Sequence, residues 1–103
     1  MNPQRATQFL MANLGVEIQR LFSYKKQGDM DGARTSGERA SKIIDSLESH
    51  PDINGGKKEV EMIREVMVKD VLSDKPQYHI TEKNIDSYFT PFSMRVLTAA
   101  GIS

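Results

Sequence analysis

The chain lacks several features that would point to a particular chemistry. Its 103 residues include no cysteine and no tryptophan. The absence of cysteine excludes disulfide bonds, thiol catalysis and thiolate metal sites. No long apolar run is present either: the longest, from Phe9 to Ala12, is far too short to span a bilayer. A chain of this length is expected to form one domain over residues 1–103.

An excess of charge of either sign is also missing. Fourteen basic and fourteen acidic residues cancel. A balanced chain has no electrostatic footprint for nucleic acid or for an anionic membrane. The first residues lack the basic and then apolar layout of a secretory signal. We therefore expect a cytoplasmic protein that binds neither nucleic acid nor membranes.

Apolar residues recur at three-residue and four-residue spacings along most of the chain, which is the helical period. This pattern predicts an all-α fold, a small antiparallel bundle of four to five helices at about 3–27, 30–49, 57–73, 82–89 and 91–99. Gly28, Pro51 and Pro76 mark the interruptions. Pro91 leaves two alternatives open, because proline either starts a separate helix or kinks a longer one.

The predicted third helix has an unusually wide apolar face. Its main stripe is widened by four further apolar residues, giving Val60, Ile63, Met67 and Val71 with Met62, Val66, Val68 and Leu72. Such a helix is expected to pack on more than one side, either at the centre of the bundle or against a second subunit. Its carboxylates occupy the polar side without a Glu-x-x-His motif and are predicted to form a solvated face: Glu59, Glu61, Glu65 and Asp70.

The segment between the first two helices reads as the turn of a hairpin. Asp29 stands where an N-cap of the second helix would lie. Small residues follow at helical spacing, at Ala33, Gly37 and Ala40. Small side chains allow two helix axes to approach closely. The hairpin is therefore the most secure element of the predicted fold.

The spacing of Tyr24, Gly28, Asp29, Ala33 and Ala40 resembles one tetratricopeptide hairpin over residues 14–47. The resemblance implies that paired helices touch through the tyrosine and the small residues. Residues one repeat length further along do not fit the pattern, so a repeat array is not expected. The peptide-carboxylate clamp of that family does not transfer either, because apolar side chains stand where it needs polar donors.

The same turn also matches part of a calcium loop. An EF-hand needs oxygen ligands at its first, third and fifth positions, glycine at the sixth and glutamate at the twelfth. The chain offers Gln27, Asp29, Asp31, Gly32 and Glu38 at these places. The glutamine lacks the usual charge, and the residues after Gly32 continue a helical stripe. Calcium binding by Asp29, Asp31 and Glu38 is therefore kept as the alternative function, and no other metal or cofactor is expected.

The densest aromatic cluster lies near the carboxyl end, at Tyr88, Phe89 and Phe92. These rings either close the end of the core or form a partner surface, since aromatic residues are enriched at interface centres. The two histidines, His50 and His79, have no nucleophile or base partner at a recognisable spacing. We therefore predict a non-enzymatic protein-interaction module whose interaction residues are Tyr88, Phe89 and Phe92. It is expected to bind a protein partner or to form a homodimer.

Overall fold

The structure is a computed structural model that describes the backbone of residues 3–50 and 56–99 and the side chains of residues 6–50 and 56–91. The described residues form four helices and no strand: α1 (Pro3–Lys26), α2 (Met30–Ser49), α3 (residues 57–72) and α4 (Glu82–Ala99). The predicted all-α bundle is confirmed. No helix among the described residues is long and apolar enough to cross a membrane.

The α1–α2 hairpin closes through a short, capped turn. Gly28 adopts a left-handed φ of 80°, which glycine tolerates without steric cost. The Asp29 N–H donates to the Tyr24 carbonyl at 2.8 Å, and the Asp29 carboxylate accepts from the Gly32 N–H at 2.9 Å. This satisfies one of the free N–H groups at the start of α2. The predicted cap is confirmed.

Glycines mark the closest approaches between helices. A Cβ at Gly32 would lie 2.6 Å from Cδ1 of Tyr24, within the hairpin. A Cβ at Gly37 would lie 2.7 Å from Cδ1 of Leu72, where α2 meets α3. Glycine at each position lowers helix stability by about 1 kcal/mol relative to alanine. The close packing predicted for the small-residue stripe of α2 is the compensation.

Helix α3 contains a π-helical segment, Arg64–Lys69, between α-helical segments Lys57–Ile63 and Asp70–Leu72. A π turn closes with an i to i+5 hydrogen bond, which widens the helix. Ile63 and Val68, five residues apart, are both buried, as is Met67. The wider turn lets adjacent residues Met67 and Val68 face the core together. The α-helical period alone did not predict it.

The wide apolar face of α3 is used largely within the molecule. Its main stripe is buried, Val68 is 2% exposed, and Val66 and Leu72 pack against the core. Met62 is the exception at 47% exposure. The packing of α3 gives no argument for a second subunit, but the central position expected for it belongs to α1, which packs on both α2 and α4, whereas α3 packs mainly on α2.

Residues 82–89 and 91–99, predicted as two helices, form one continuous helix, which was the other alternative left open by Pro91. Thr81 Oγ1 accepts from the Asn84 N–H at 3.2 Å, and Asn84 Oδ1 accepts from the Thr81 N–H at 3.0 Å. This reciprocal pair caps α4. Thr90 Oγ1 donates to the Asp86 carbonyl at 2.6 Å, beside the turn where proline lacks an N–H.

Helix α4 packs on α1 where Phe89 meets Gly15. Phe89 is only 4% exposed. A Cβ at Gly15 would lie 2.7 Å from Cγ of Phe89 and 2.8 Å from its Cβ. The main core residues come from all four helices: Leu14, Ile18, Leu21, Ala33, Ala40, Ile44, Leu47, Val60, Ile63, Val71, Ile85 and Phe89.

Gly15, at the α1–α4 contact, and Gly37, at the α2–α3 contact, are expected to respond differently to substitution by alanine. Gly15→Ala should lower the free energy of unfolding by about 1–3 kcal/mol, because the Phe89 ring and its Cβ cannot move aside without shifting α4. Gly37→Ala should be within about 1 kcal/mol of wild type, since it gains helix propensity and meets only the flexible end of Leu72. Urea unfolding followed by circular dichroism measures both. Equal losses at the two positions would contradict this account of the packing.

Candidate interaction groove between the first and last helices

The contact between Gly15 and Phe89 forms the floor of an open groove between α1 and α4. The groove has a volume of about 420 Å³. Because glycine has no side chain, the Phe89 ring lies directly on the α1 backbone. Val16, next to this floor, is 48% exposed although it is apolar. The lining comprises Ala12, Gly15, Val16, Gln19, Arg20, Ser23, Asp86, Phe89 and Thr90.

Polar side chains border the groove and join its walls. Gln19 on α1 donates from Nε2 to Oδ1 of Asp86 on α4. Asp86 makes no ion pair with any described residue, although its side chain is exposed. The carboxylate therefore presents a net negative charge on the α4 wall.

The opposite wall presents an exposed guanidinium. Arg20 on α1 pairs with Glu17, Nη1 to Oε1, at 2.7 Å. The Arg20 side chain remains 54% exposed, whereas that of Glu17 is 11% exposed. A guanidinium has five N–H donors, so one hydrogen bond leaves others available at the groove edge. The groove thus has an apolar floor, a carboxylate on the α4 wall and free guanidinium donors on the α1 wall.

Glu17 itself is only half satisfied. Its Oε2 atom is buried and has no hydrogen-bond partner among the described residues, and the same is true of Oγ of Ser36 on α2. Glu17 shares a helix face with Leu21 and Tyr24, which meet α2. These two polar atoms therefore lie within the hairpin, outside the groove lining.

A second, smaller groove of about 370 Å³ lies beside the loop between α3 and α4. The Asp70 carboxylate accepts from the N–H groups of Gln77 at 2.8 Å and Tyr78 at 3.1 Å, which fixes this loop. His79 adopts a left-handed φ of 51°. Lys25 donates from Nζ to the Val71 carbonyl. The charged residues that line this second groove balance one another, since there are two lysines and two carboxylates: Lys25, Lys26, Asp70 and Glu82.

The structure places the three predicted interaction aromatics differently from one another. Phe89 is buried as the floor of the α1–α4 groove. Tyr88 is half-buried, meets the Phe89 ring edge to face at a centroid distance of 5.0 Å, and donates to Glu59 on α3. The side chain of Phe92 lies outside the described residues. Val16, Met62 and Tyr78 are the exposed large apolar side chains among the described residues, and of these Val16 lines the α1–α4 groove above Phe89.

Burial raises the pKa of the Tyr88 hydroxyl, and the hydrogen bond to Glu59 and the charge of that carboxylate raise it further. The hydroxyl therefore stays protonated at neutral pH and acts as a donor between α4 and α3. Tyr88 has a structural role in this arrangement, which fits the interpretation of the aromatics as core better than an exposed partner surface.

The residues of the calcium alternative do not converge. Residues 30–38 are helical, so the twelve-residue loop of an EF-hand is not formed. Asp29 caps α2, and Asp31 pairs with Arg34 at 3.0 Å. Within residues 6–50 and 56–91, no three His, Cys, Asp or Glu side chains are grouped to hold a metal ion.

The predicted solvated face of α3 agrees with the structure, in which Glu59 and Glu65 are exposed and Glu61 and Asp70 are partly exposed, and these carboxylates also make specific contacts. Glu59 accepts from Tyr88, Glu65 pairs with Lys69 at 3.0 Å, and Asp70 holds the following loop. Glu61 joins a larger cluster around Arg64. Side-chain links between helices depend on the packed arrangement, so the sequence period alone could not predict them.

Arg64 on α3 is surrounded by three carboxylates. It pairs with Asp45 at 2.6 Å, with Glu48 at 3.0 Å and with Glu61 at 3.0 Å, and its side chain is 16% exposed. Burial lowers the pKa of Arg64, but the three hydrogen bonds together raise it more, so the guanidinium stays charged. This cluster joins α3 to α2.

Hydrogen bonding with the Glu61 carboxyl and with the Arg64 guanidinium lowers the pKa of Glu48 below its ordinary value of 4.5. A carboxylate whose pKa is lower in the folded state stabilises the fold above its unfolded pKa. That contribution is lost as the pH falls through the folded pKa. The cluster is therefore expected to make stability sensitive to acid.

The sequence does not predict the groove. The placement of Phe89 is left open by the sequence, and the helical period does not pair it with Gly15, 74 positions earlier in the chain. The sequence does contain one feature of the groove. A small, an apolar and an amide side chain lie together on one side of α1, beside its apolar stripe: Gly15, Val16 and Gln19. The partner wall comes from α4, and only the fold identifies it.

Comparison of the chain with protein-family models, with curated proteins and with solved structures finds no significant match. The likeness of residues 14–47 to a tetratricopeptide hairpin therefore stays a resemblance of one hairpin.

The Arg64 cluster gives a pH-dependent prediction. Arg64→Met should lower the free energy of unfolding at pH 7 by about 2 kcal/mol, because charge-assisted hydrogen bonds are lost and three carboxylates are left close together. The difference from wild type should shrink below pH 4.5, where protonation removes the repulsion. Thermal melting from pH 3 to pH 7 measures it, with Lys69→Met as the control for an exposed ion pair. A difference that does not change with pH would contradict the assignment.

Proposed function

We propose that the protein is a non-enzymatic helical interaction module that binds a protein segment in the α1–α4 groove. The observation that carries the proposal is the α1–α4 groove, whose apolar lining of Ala12, Val16 and the Phe89 floor is bordered by polar side chains. Exposed apolar surface bordered by polar groups is typical of protein–protein contact sites. A cytoplasmic location belongs to the same proposal and rests on the sequence alone.

The dimensions of the groove suit a helix. Its α1 wall extends from Ala12 to Ser23, which corresponds to about 17 Å of helix axis. A helix that binds in a groove places apolar anchors at i, i+4 and i+7, and these span about 10 Å at 1.5 Å per residue. The α4 wall extends only from Asp86 to Thr90, about 6 Å, so one such anchor lies between the two walls and the others would lie along α1.

The polar groups of the lining are arranged for structure and recognition. Thr90 donates to the Asp86 carbonyl, and the Asp86 carboxylate accepts from Gln19. Neither arrangement pairs a nucleophile with a general base. This supports the proposal that the module has no catalytic activity. The calcium alternative draws no support from the described geometry, because its three carboxylates do not converge.

Val16→Asp should abolish partner capture through the groove while leaving the fold intact, because the residue is exposed but apolar. Met62→Asp is the matched control, since Met62 is 47% exposed on α3 and lies outside the groove lining. Affinity capture with the three proteins, followed by mass spectrometry, compares the bound species. Partners lost with Val16→Asp and kept with Met62→Asp support the proposal. Identical capture by all three, with equal melting temperatures, would refute binding in this groove.

A further inference from the structure

We propose that the occupant of the α1–α4 groove is the same groove of a second copy of this chain, so that the protein forms a two-fold symmetric dimer. The inference rests on the proposed function, and it adds the identity of the partner. It depends on three properties of the groove: the placement of its charges, the placement of its apolar residues and the neutrality of the chain.

The charges of the groove complement themselves. Arg20 lies on the α1 wall and Asp86 on the α4 wall. In a two-fold interface a residue i that contacts residue j of the partner is matched by j contacting i. A second copy can therefore bring its Asp86 to Arg20 and its Arg20 to Asp86 at the same time. Each Arg20 then accepts a second carboxylate through its free N–H donors, while its first hydrogen bond to Glu17 is kept.

The apolar residues follow the same rule. Val16 projects from α1 immediately beside Gly15, on which the buried Phe89 ring packs as the groove floor. A two-fold axis that runs along the groove, parallel to α1, keeps Arg20 and Asp86 at one level and lets the valine of each copy meet the groove of the other. The projecting residue and the recess belong to the same surface, as an isologous contact requires.

The overall charge permits association of identical copies. Fourteen basic and fourteen acidic residues give a formal net charge of zero. A high net charge would oppose self-association by repulsion, and none is present here. A partner helix from another protein would have to carry both an acidic and a basic residue at matching positions, whereas a second copy has both already.

Sedimentation velocity from about 10 μM to about 1 mM, the range of weak interfaces, tests the proposal. We expect the wild-type sedimentation coefficient to rise with concentration toward that of a dimer. Val16→Asp should remove this dependence, and Met62→Asp should keep it. Arg20→Asp and Asp86→Arg should each weaken the dimer by about tenfold or more, because each places like charges together twice.

A mixing experiment separates a two-fold groove dimer from any other association. Neither Arg20→Asp nor Asp86→Arg should self-associate well, but an equimolar mixture should form a heterodimer. In that mixture residue 20 of each chain again faces an opposite charge at residue 86 of the other. Both substitutions are at exposed side chains, and melting temperatures confirm folding. If Val16→Asp fails to fold, the mixing experiment still decides.

A chain that stays monomeric up to about 1 mM, or a dimer unaffected by these substitutions, overturns the proposal. Failure of the dimer and failure of the proposed function are distinguishable. A monomer that still captures another protein in a Val16-dependent manner refutes the second copy as occupant and leaves the interaction function standing. A monomer without Val16-dependent capture refutes both.

Discussion

Helix α1 packs against α2 and α4 at once, and both contacts depend on positions where a methyl group does not fit. Gly32 allows α2 to approach the Tyr24 ring of α1, and Gly15 allows the Phe89 ring of α4 to lie on the α1 backbone. Close approach increases the number of dispersion contacts between helices. It also fixes their relative position, because a rigid ring above a glycine has little freedom to slide. The other core contacts form around this arrangement.

The same contact that holds α4 in place also creates the surface assigned to binding. Phe89 is buried in the core, at 4% exposure, and the same ring forms the groove floor. Val16 and two charged side chains, Arg20 on α1 and Asp86 on α4, border this recess. The fold therefore uses the aromatic residue of the sequence as support for a binding surface formed by less conspicuous neighbours.

The sequence predicted those parts of the fold that depend on local chemistry. The cap at Asp29 and the helical period placed α2 at its observed bounds and α1 and α3 within one residue. The continuity of α4 through Pro91 and the π turn of α3 depend on tertiary packing, so local signals left the first open and missed the second.

The groove was less predictable still, because its walls come from helices at opposite ends of the chain. Asp86 and Arg20 have no periodic relation, and their opposition exists only once Gly15 and Phe89 meet. The aromatic cluster predicted Tyr88 and Phe89 as interaction residues, but composition does not distinguish a ring that faces a partner from a ring that lies beneath the surface. Burial made that distinction.

The contact between Gly15 and Phe89 is tested most directly by proton NMR of the isotopically labelled protein. The account predicts strong nuclear Overhauser effects between the Gly15 Hα protons and the Phe89 ring protons, and glycine Hα resonances shifted by the ring current. Absence of these effects in the folded protein, with Phe89 ring protons close to other residues instead, would contradict the packing on which the groove depends.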